Sequence, residues 1–122
     1  MGQEIMKVLV VDDEDFICEL LDEFLSLKGY DVITARNGDE ALLYFVDNKP
    51  DLVLLDIRMP GISGVKVLGK IKNIDKDARV IMLSAFGDSG TVQDALKLGA
   101  VHYLQKPVEF EQLSNILKSL AA

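Results

Sequence analysis

Four short apolar runs in this chain each stop at a polar residue, and segments of helical period fill the intervals between them. Ile5-Met6-Lys7-Val8-Leu9-Val10-Val11 stops at Asp12-Asp13, and Leu52-Val53-Leu54-Leu55 stops at Asp56. Arg79-Val80-Ile81-Met82-Leu83 stops at Ser84, and Val101-His102-Tyr103-Leu104-Gln105 stops at Lys106-Pro107. Such runs read as strands, and those ending at Val11, Leu55 and Leu83 are apolar on both faces, as central strands are. An ionised carboxylate at that depth is costly unless its charge is used. Asp56, with Arg58-Met59-Pro60-Gly61 close behind it, is the plainest case.

The intervals carry the helices. Phe16, Ile17, Leu20, Leu21, Phe24 and Leu27 recur with a helical period and predict one buried face, with Gly29 as the carboxy-terminal cap. Tyr30–Ala35 reads as a short, more polar strand suited to a sheet edge. Asn37 caps a second helix with Ala41, Leu42, Phe45 and Val46 inward, and Pro50 prevents its continuation. A loop with Pro60, Gly61, Ser63 and Gly64 leads to a third helix with Val67, Leu68 and Ile71 inward. A fourth helix, Asp88–Leu98, has a thin apolar face of Val92, Ala95 and Leu96. The last begins near Glu109 and carries Phe110, Leu113, Ile116, Leu117 and Leu120 on one side.

Strands alternating with helices imply an α/β fold, a parallel sheet covered on both faces. In such sheets ligands bind beyond the carboxyl ends of the strands, where the strand order reverses. For the doubly wound order 2-1-3-4-5 that point lies between the first and third strands, which brings Asp12-Asp13 beside Asp56.

Composition narrows the function. The 122 residues suit one domain. No apolar stretch approaches the roughly 18 residues that span a bilayer, so no membrane segment is expected. A formal charge of −7 with scattered Lys and Arg argues against direct nucleic-acid binding. Met1-Gly2-Gln3-Glu4 lacks the basic and apolar blocks of a secretory signal, and a cytoplasmic location is expected. Cys18, the single cysteine, leaves no internal disulfide and reads as a small buried side chain.

Three carboxylates brought together repel one another unless a cation neutralises them. Magnesium suits a few carboxylates, a backbone carbonyl and retained waters. Lys106 and Ser84, ending the neighbouring strands, add the ammonium and hydroxyl that hold a phosphoryl group. The carboxylate left beside the metal can act as a nucleophile and form an acyl phosphate. Taken alone, Asp12-Asp13-Glu14 serves equally as a helix cap, Lys106-Pro107 as a turn, and Tyr103 as a half-buried strand residue.

In order and at strand ends, Val10-Val11-Asp12-Asp13-Glu14, Leu55-Asp56-Ile57-Arg58-Met59-Pro60-Gly61, Leu83-Ser84-Ala85 and Gln105-Lys106-Pro107 resemble a two-component response-regulator receiver domain. The resemblance covers the chain from Lys7 to the final helix and implies one receiver unit over residues 1–122. Its fold would be the flavodoxin-like, doubly wound, five-stranded parallel sheet in order 2-1-3-4-5 with five helices. It also assigns roles. Asp56 matches the aspartate phosphorylated by a histidine kinase, Asp13 a direct metal ligand, and Asp12 an acidic-pocket residue that often reaches the metal through water. Arg58 matches the position lending a backbone carbonyl to the metal, which would be magnesium, with manganese as a substitute. Lys106 matches the lysine that pairs with the phosphoryl oxygens, before a usually cis bond to Pro107. Ser84, in place of the commoner threonine, matches the hydroxyl that moves to the phosphoryl group, and Tyr103 the aromatic whose rotamer follows. Arg58 and Phe86 occupy variable positions that influence phosphoryl lifetime.

The partners implied are a histidine kinase or phosphotransfer protein on one side and a downstream protein target or fused output domain on the other. On this reading the protein is a phosphoacceptor without separate substrate turnover, whose fourth helix, fifth strand and fifth helix change surface on phosphorylation. Two other readings compete. A haloacid-dehalogenase-like phosphatase would put the phosphoryl group near Asp13, though Phe16 departs from its first motif. A receiver-like binding module that is never phosphorylated would have no need of the complete set Asp12, Asp13, Asp56, Ser84 and Lys106.

Overall fold

Runs of Val, Leu and Ile form the strands and amphipathic intervals form the helices, in strict alternation. The computed structural model describes residues 6–85 and 87–121; Met1–Glu4, Ile5 of the first run and Phe86 lie outside the described residues. In chain order the elements are β1 (Lys7–Val11), α1 (Asp15–Leu27), β2 (Asp31–Ala35), α2 (Gly38–Asn48), β3 (Leu52–Asp56), α3 (Gly64–Ile74), β4 (Arg79–Ser84), α4 (Ser89–Lys97), β5 (His102–Gln105) and α5 (Phe110–Ala121). All strand pairs are parallel and the sheet order is β2-β1-β3-β4-β5. This is the doubly wound arrangement expected, with the polar Asp31–Ala35 strand at an edge.

Alternate residues of the central strands feed two cores. Val8, Val10, Leu54, Ile81 and Leu83 face α1 and α5, where Cys18, Leu21, Leu25, Leu113 and Leu117 meet them. Leu9, Val11, Val53, Leu55 and Met82 face the other helices, against Phe45, Val67, Leu68, Ile71, Val92 and Ala95. Burying each such Leu, Ile or Val contributes about 1.5–3 kcal/mol, and this fixes the strands on which the site stands. Asn37 caps α2 as expected, its side chain accepting from Glu40 N at 2.9 Å. Among the described residues no helix is long and apolar enough to cross a membrane.

The first helix turns differently from its predicted face. Its buried residues are Cys18, Leu21 and Leu25, with Ile17 and Phe24 partly covered, whereas Phe16 and Leu27 are 70% and 83% exposed and Leu20 is also exposed. At 3.6 residues per turn, Phe16, Leu20 and Leu27 fall about 100–140° around the helix from Leu21. The apolar arc is wider than the contact with the sheet. Val46 on α2 is likewise exposed, while Ala41 and Phe45 carry the contact.

Candidate functional site

Val11 pairs with Leu55 in the sheet, so Asp12 and Asp56 leave adjacent strand ends side by side. Asp12 is fully buried and Asp56 nearly so, while Asp13 is exposed at the rim. One carboxylate oxygen from each of the three lies within 4.8 Å of the others. Lys106, delivered by the end of β5, reaches across to place its Nζ 2.7 Å from Asp12 Oδ2 and 3.2 Å from Asp56 Oδ2. Its backbone N–H donates to the Ser84 carbonyl at 2.7 Å, and the Lys106–Pro107 bond is cis.

Local geometry explains why these carboxylates point inward. Asp12 Oδ1 accepts from Glu14 N at 2.9 Å, turning the chain into α1. The helix takes Glu14 as its N-cap residue with no side-chain cap, so Asp12-Asp13-Glu14 is not serving as a capping device. Asp56 Oδ1 accepts from Arg58 N at 3.2 Å across the turn that follows β3.

Charge is unbalanced here: three carboxylates face one ammonium. Burial, and next the charge of Asp12, push Asp56 up to about 6 despite the opposing pull of Lys106. For Lys106, burial works against the charged form, yet hydrogen bonding and attraction from Asp12 and Asp56 outweigh it and hold the ammonium above its ordinary value. Asp12 Oδ2 is buried, and the Lys106 ammonium is its partner. Three hard oxygen donors within reach of one point and a surplus of negative charge suit a divalent cation of the magnesium type.

Ser84 is buried at the end of β4 and donates to the Leu104 carbonyl at 3.4 Å, toward β5 and away from Asp56. Tyr103 is 47% exposed. A cavity of about 350 Å³ separates the two and is lined by both, together with Ala85, Val92, Gln93 and Gln105. Arg58 follows closely on Asp56, and its side chain runs to Asp88. His102 is exposed on its strand, as a residue without a metal-binding companion would be.

Two positions escaped the sequence reading. Asp88 counted only as the start of α4, yet it is 3% exposed and accepts from both Arg58 and Ala85. Gly64 counted as a loop glycine, yet it opens α3, and a Cβ there would overlap the Asp56 carbonyl oxygen. Its N–H donates to the Ile57 carbonyl at 2.9 Å, pinning the helix against the end of β3. Gly61 does match the loop reading, with φ +81° and open space around it. Nothing local distinguishes the two glycines, because the crowding comes from a strand several residues away.

A family model described as the response regulator receiver domain matches residues 8–118. The chain is 38% identical to Sporulation initiation phosphotransferase F of Bacillus subtilis (strain 168), covering 92% of this chain and 90% of that protein. It is 37% identical to Regulatory protein AtoC of Escherichia coli (strain K12), over 93% of this chain but only 25% of that protein's length. A solved CheX-CheY-BeF3-Mg+2 complex from Borrelia burgdorferi contains a chain that superposes with a TM-score of 0.89 at 35% identity, covering 96% of this chain and 90% of that one.

Proposed function

The chain belongs to the response regulator receiver domain family, whose members are phosphorylation switches of two-component and phosphorelay systems, and from that premise we propose that Asp56 is its phosphoacceptor. The observation that carries this reading is the Lys106 ammonium lying between the buried carboxylates of Asp12 and Asp56, with Asp13 at the rim. The family's acidic pocket binds magnesium, and in this chain Asp12, Asp13 and Asp56 would hold the ion, with the Arg58 carbonyl. Magnesium when bound offsets the charge of the acceptor carboxylate and of the incoming phosphoryl oxygens. Manganese is expected to serve in its place.

The chemistry at Asp56 is a displacement. A carboxylate oxygen of Asp56 attacks phosphorus; the bond to the donor breaks as the acyl phosphate forms, and the donor's electron pair leaves with the imidazole of a phosphohistidine. Lys106 gives up no proton: it sits where its charge can pair with a phosphoryl oxygen, exchanging part of its contact with Asp56. In this reading Ser84 leaves the Leu104 carbonyl to donate to that group, and its departure opens the adjoining cavity to Tyr103. The surface of α4, β5 and α5 then changes, and the thin apolar face of α4 suits an element that moves. A coupling of about 1–3 kcal/mol between acceptor and surface suffices for a switch.

The donor in this reading is a histidine kinase or a phosphotransfer protein, and the reader is a downstream protein target or a fused output domain. AtoC, of which the chain spans a quarter, illustrates the fused case. We read residues 1–122 as one receiver unit, a phosphoacceptor without separate substrate turnover. We propose a cytoplasmic location, which suits the free, buried thiol of Cys18.

Incubation with magnesium and acetyl phosphate, followed by intact mass and peptide mapping, tests the reading. One phosphoryl group on Asp56 is expected, absent from Asp56→Asn and without the metal. Label on Asp13 would favour the phosphatase-like chemistry, and no label on folded protein would favour a pure binding module.

A further inference from the structure

Asp88 is a buried carboxylate outside the acidic cluster, and its two oxygens hold two different loops. Oδ1 accepts from Arg58 Nε at 2.7 Å and lies 2.6 Å from a second guanidinium nitrogen, Nη2. Oδ2 accepts from Ala85 N at 2.7 Å. Arg58 stands two residues after Asp56, and Ala85 one residue after Ser84. One carboxylate thus ties the loop leaving β3 to the loop leaving β4, and these loops flank the acceptor.

The tie is built to be exchanged. Both guanidinium contacts fall on the single oxygen Oδ1, because Oδ2 is taken by Ala85. Arg58 therefore lacks the two-oxygen fork in which a guanidinium binds most strongly. Its side chain is 70% exposed, and an open cleft of about 700 Å³, lined in part by Asp13, Arg58, Thr91 and Asp94, leaves it room to swing. Its backbone already donates to Asp56. A phosphoryl group there would add about −1.5 to −2 charge and three acceptor oxygens, a stronger partner within the same turn.

Resting on the reading of Asp56 as the acceptor, we propose that Asp88 is a positioning residue for phosphoryl transfer. In the resting protein it holds the Arg58 guanidinium off Asp56, and the phosphoryl group draws that guanidinium away from Asp88. The release has a consequence for α4. A buried carboxylate that loses its cation is unfavourable, so the first turn of the helix opens to hydrate Asp88. Phosphorylation would then reach α4 through Arg58 and Asp88 as well as through Ser84.

Asp88→Asn tests this while keeping an acceptor for Ala85 N and deleting only the charge. With magnesium and acetyl phosphate, Asp88→Asn is expected to label Asp56 about fivefold faster or more than wild type, the low end of couplings between sites. In an Arg58→Gln background, where position 58 is exposed and folding is not at stake, the same substitution should change the rate by less than about twofold. The Arg58 Nε–Hε resonance of the wild type should move on labelling toward its position in Asp88→Asn. Equal acceleration in both backgrounds, no acceleration in either, or an unmoved Arg58 resonance on labelled protein overturns the proposal and leaves Asp56 as the acceptor. Absence of label from Asp56 in the wild type overturns both.

Discussion

A side chain at Gly64 would occupy the space that the carbonyl oxygen of Asp56 already fills. The first residue of α3 is thereby pressed onto the end of the strand that carries the proposed acceptor. Gly64→Ala must displace the backbone of Asp56 itself, and is expected to destabilise the protein by about 1–3 kcal/mol and to slow labelling. Gly69, on the same helix, meets nothing within 4 Å, and Gly69→Ala is expected to stabilise by about 0.5–1 kcal/mol. Urea unfolding of the two variants decides it; a Gly64→Ala midpoint equal to wild type would refute the steric account.

The Asp56 carboxylate works against the fold that holds it. Burial first, and then the Asp12 charge, raise Asp56 from 3.8 to about 6. Because the folded value lies above the unfolded one, ionised Asp56 is disfavoured in the native state. The penalty is absent below the lower value, where both states are protonated, and complete above the higher one, on the order of 3 kcal/mol. Asp56→Asn in EDTA is therefore expected to be more stable than wild type near neutral pH. Its advantage should fade as pH falls from about 6 to 3.8, and unfolding midpoints across that range check the sign.

Metal binding should appear as stability. A ligand at a hundred times its dissociation constant adds about 2.7 kcal/mol, so magnesium is expected to raise the melting temperature. Asp13 is exposed, so Asp13→Asn should change stability without metal by no more than about 0.5 kcal/mol. Its magnesium-dependent rise should shrink sharply. An undiminished rise in Asp13→Asn argues against Asp13 as a ligand.

Cys18 should be inert in the native protein. Burial, only partly offset by Arg36, raises its thiol from 9.0 to about 11. The neutral thiol's contribution to stability is full below the lower value and is lost as pH rises through the higher one. At a mildly alkaline pH, alkylation by iodoacetamide is expected to be about a hundredfold slower in native than in urea-unfolded protein. Comparable rates would show that the site opens readily.

Much of this was legible in the chain. Short apolar runs marked the strands and period-3.6 patterns the helices, and the apolar character of Leu52–Leu55 against that of Tyr30–Ala35 separated centre from edge. The polar strand ends Asp12, Asp56, Ser84 and Lys106 pointed to one crevice because parallel topology brings carboxyl ends together. The resemblance to receivers added the roles, Tyr103 and the cis bond at Pro107 among them. The first helix was harder. Its eight apolar residues, Cys18 included, span more of the helix than the sheet can cover, and only packing chose Cys18, Leu21 and Leu25 over Phe16 and Leu27.

By itself the sequence determined the alternation of elements, the parallel sheet and which polar residues end its strands, since these follow from local periodicity and from the few ways strands and helices connect. Tertiary structure alone decided that Lys106 bridges Asp12 and Asp56, that Gly64 lies against the Asp56 carbonyl, and that Asp88 holds Arg58. Each of these depends on how separate segments meet in space, across separations from the eight positions between Asp56 and Gly64 to the ninety-four between Asp12 and Lys106. Such distances are set by how two cores pack against one sheet, and no local pattern records them.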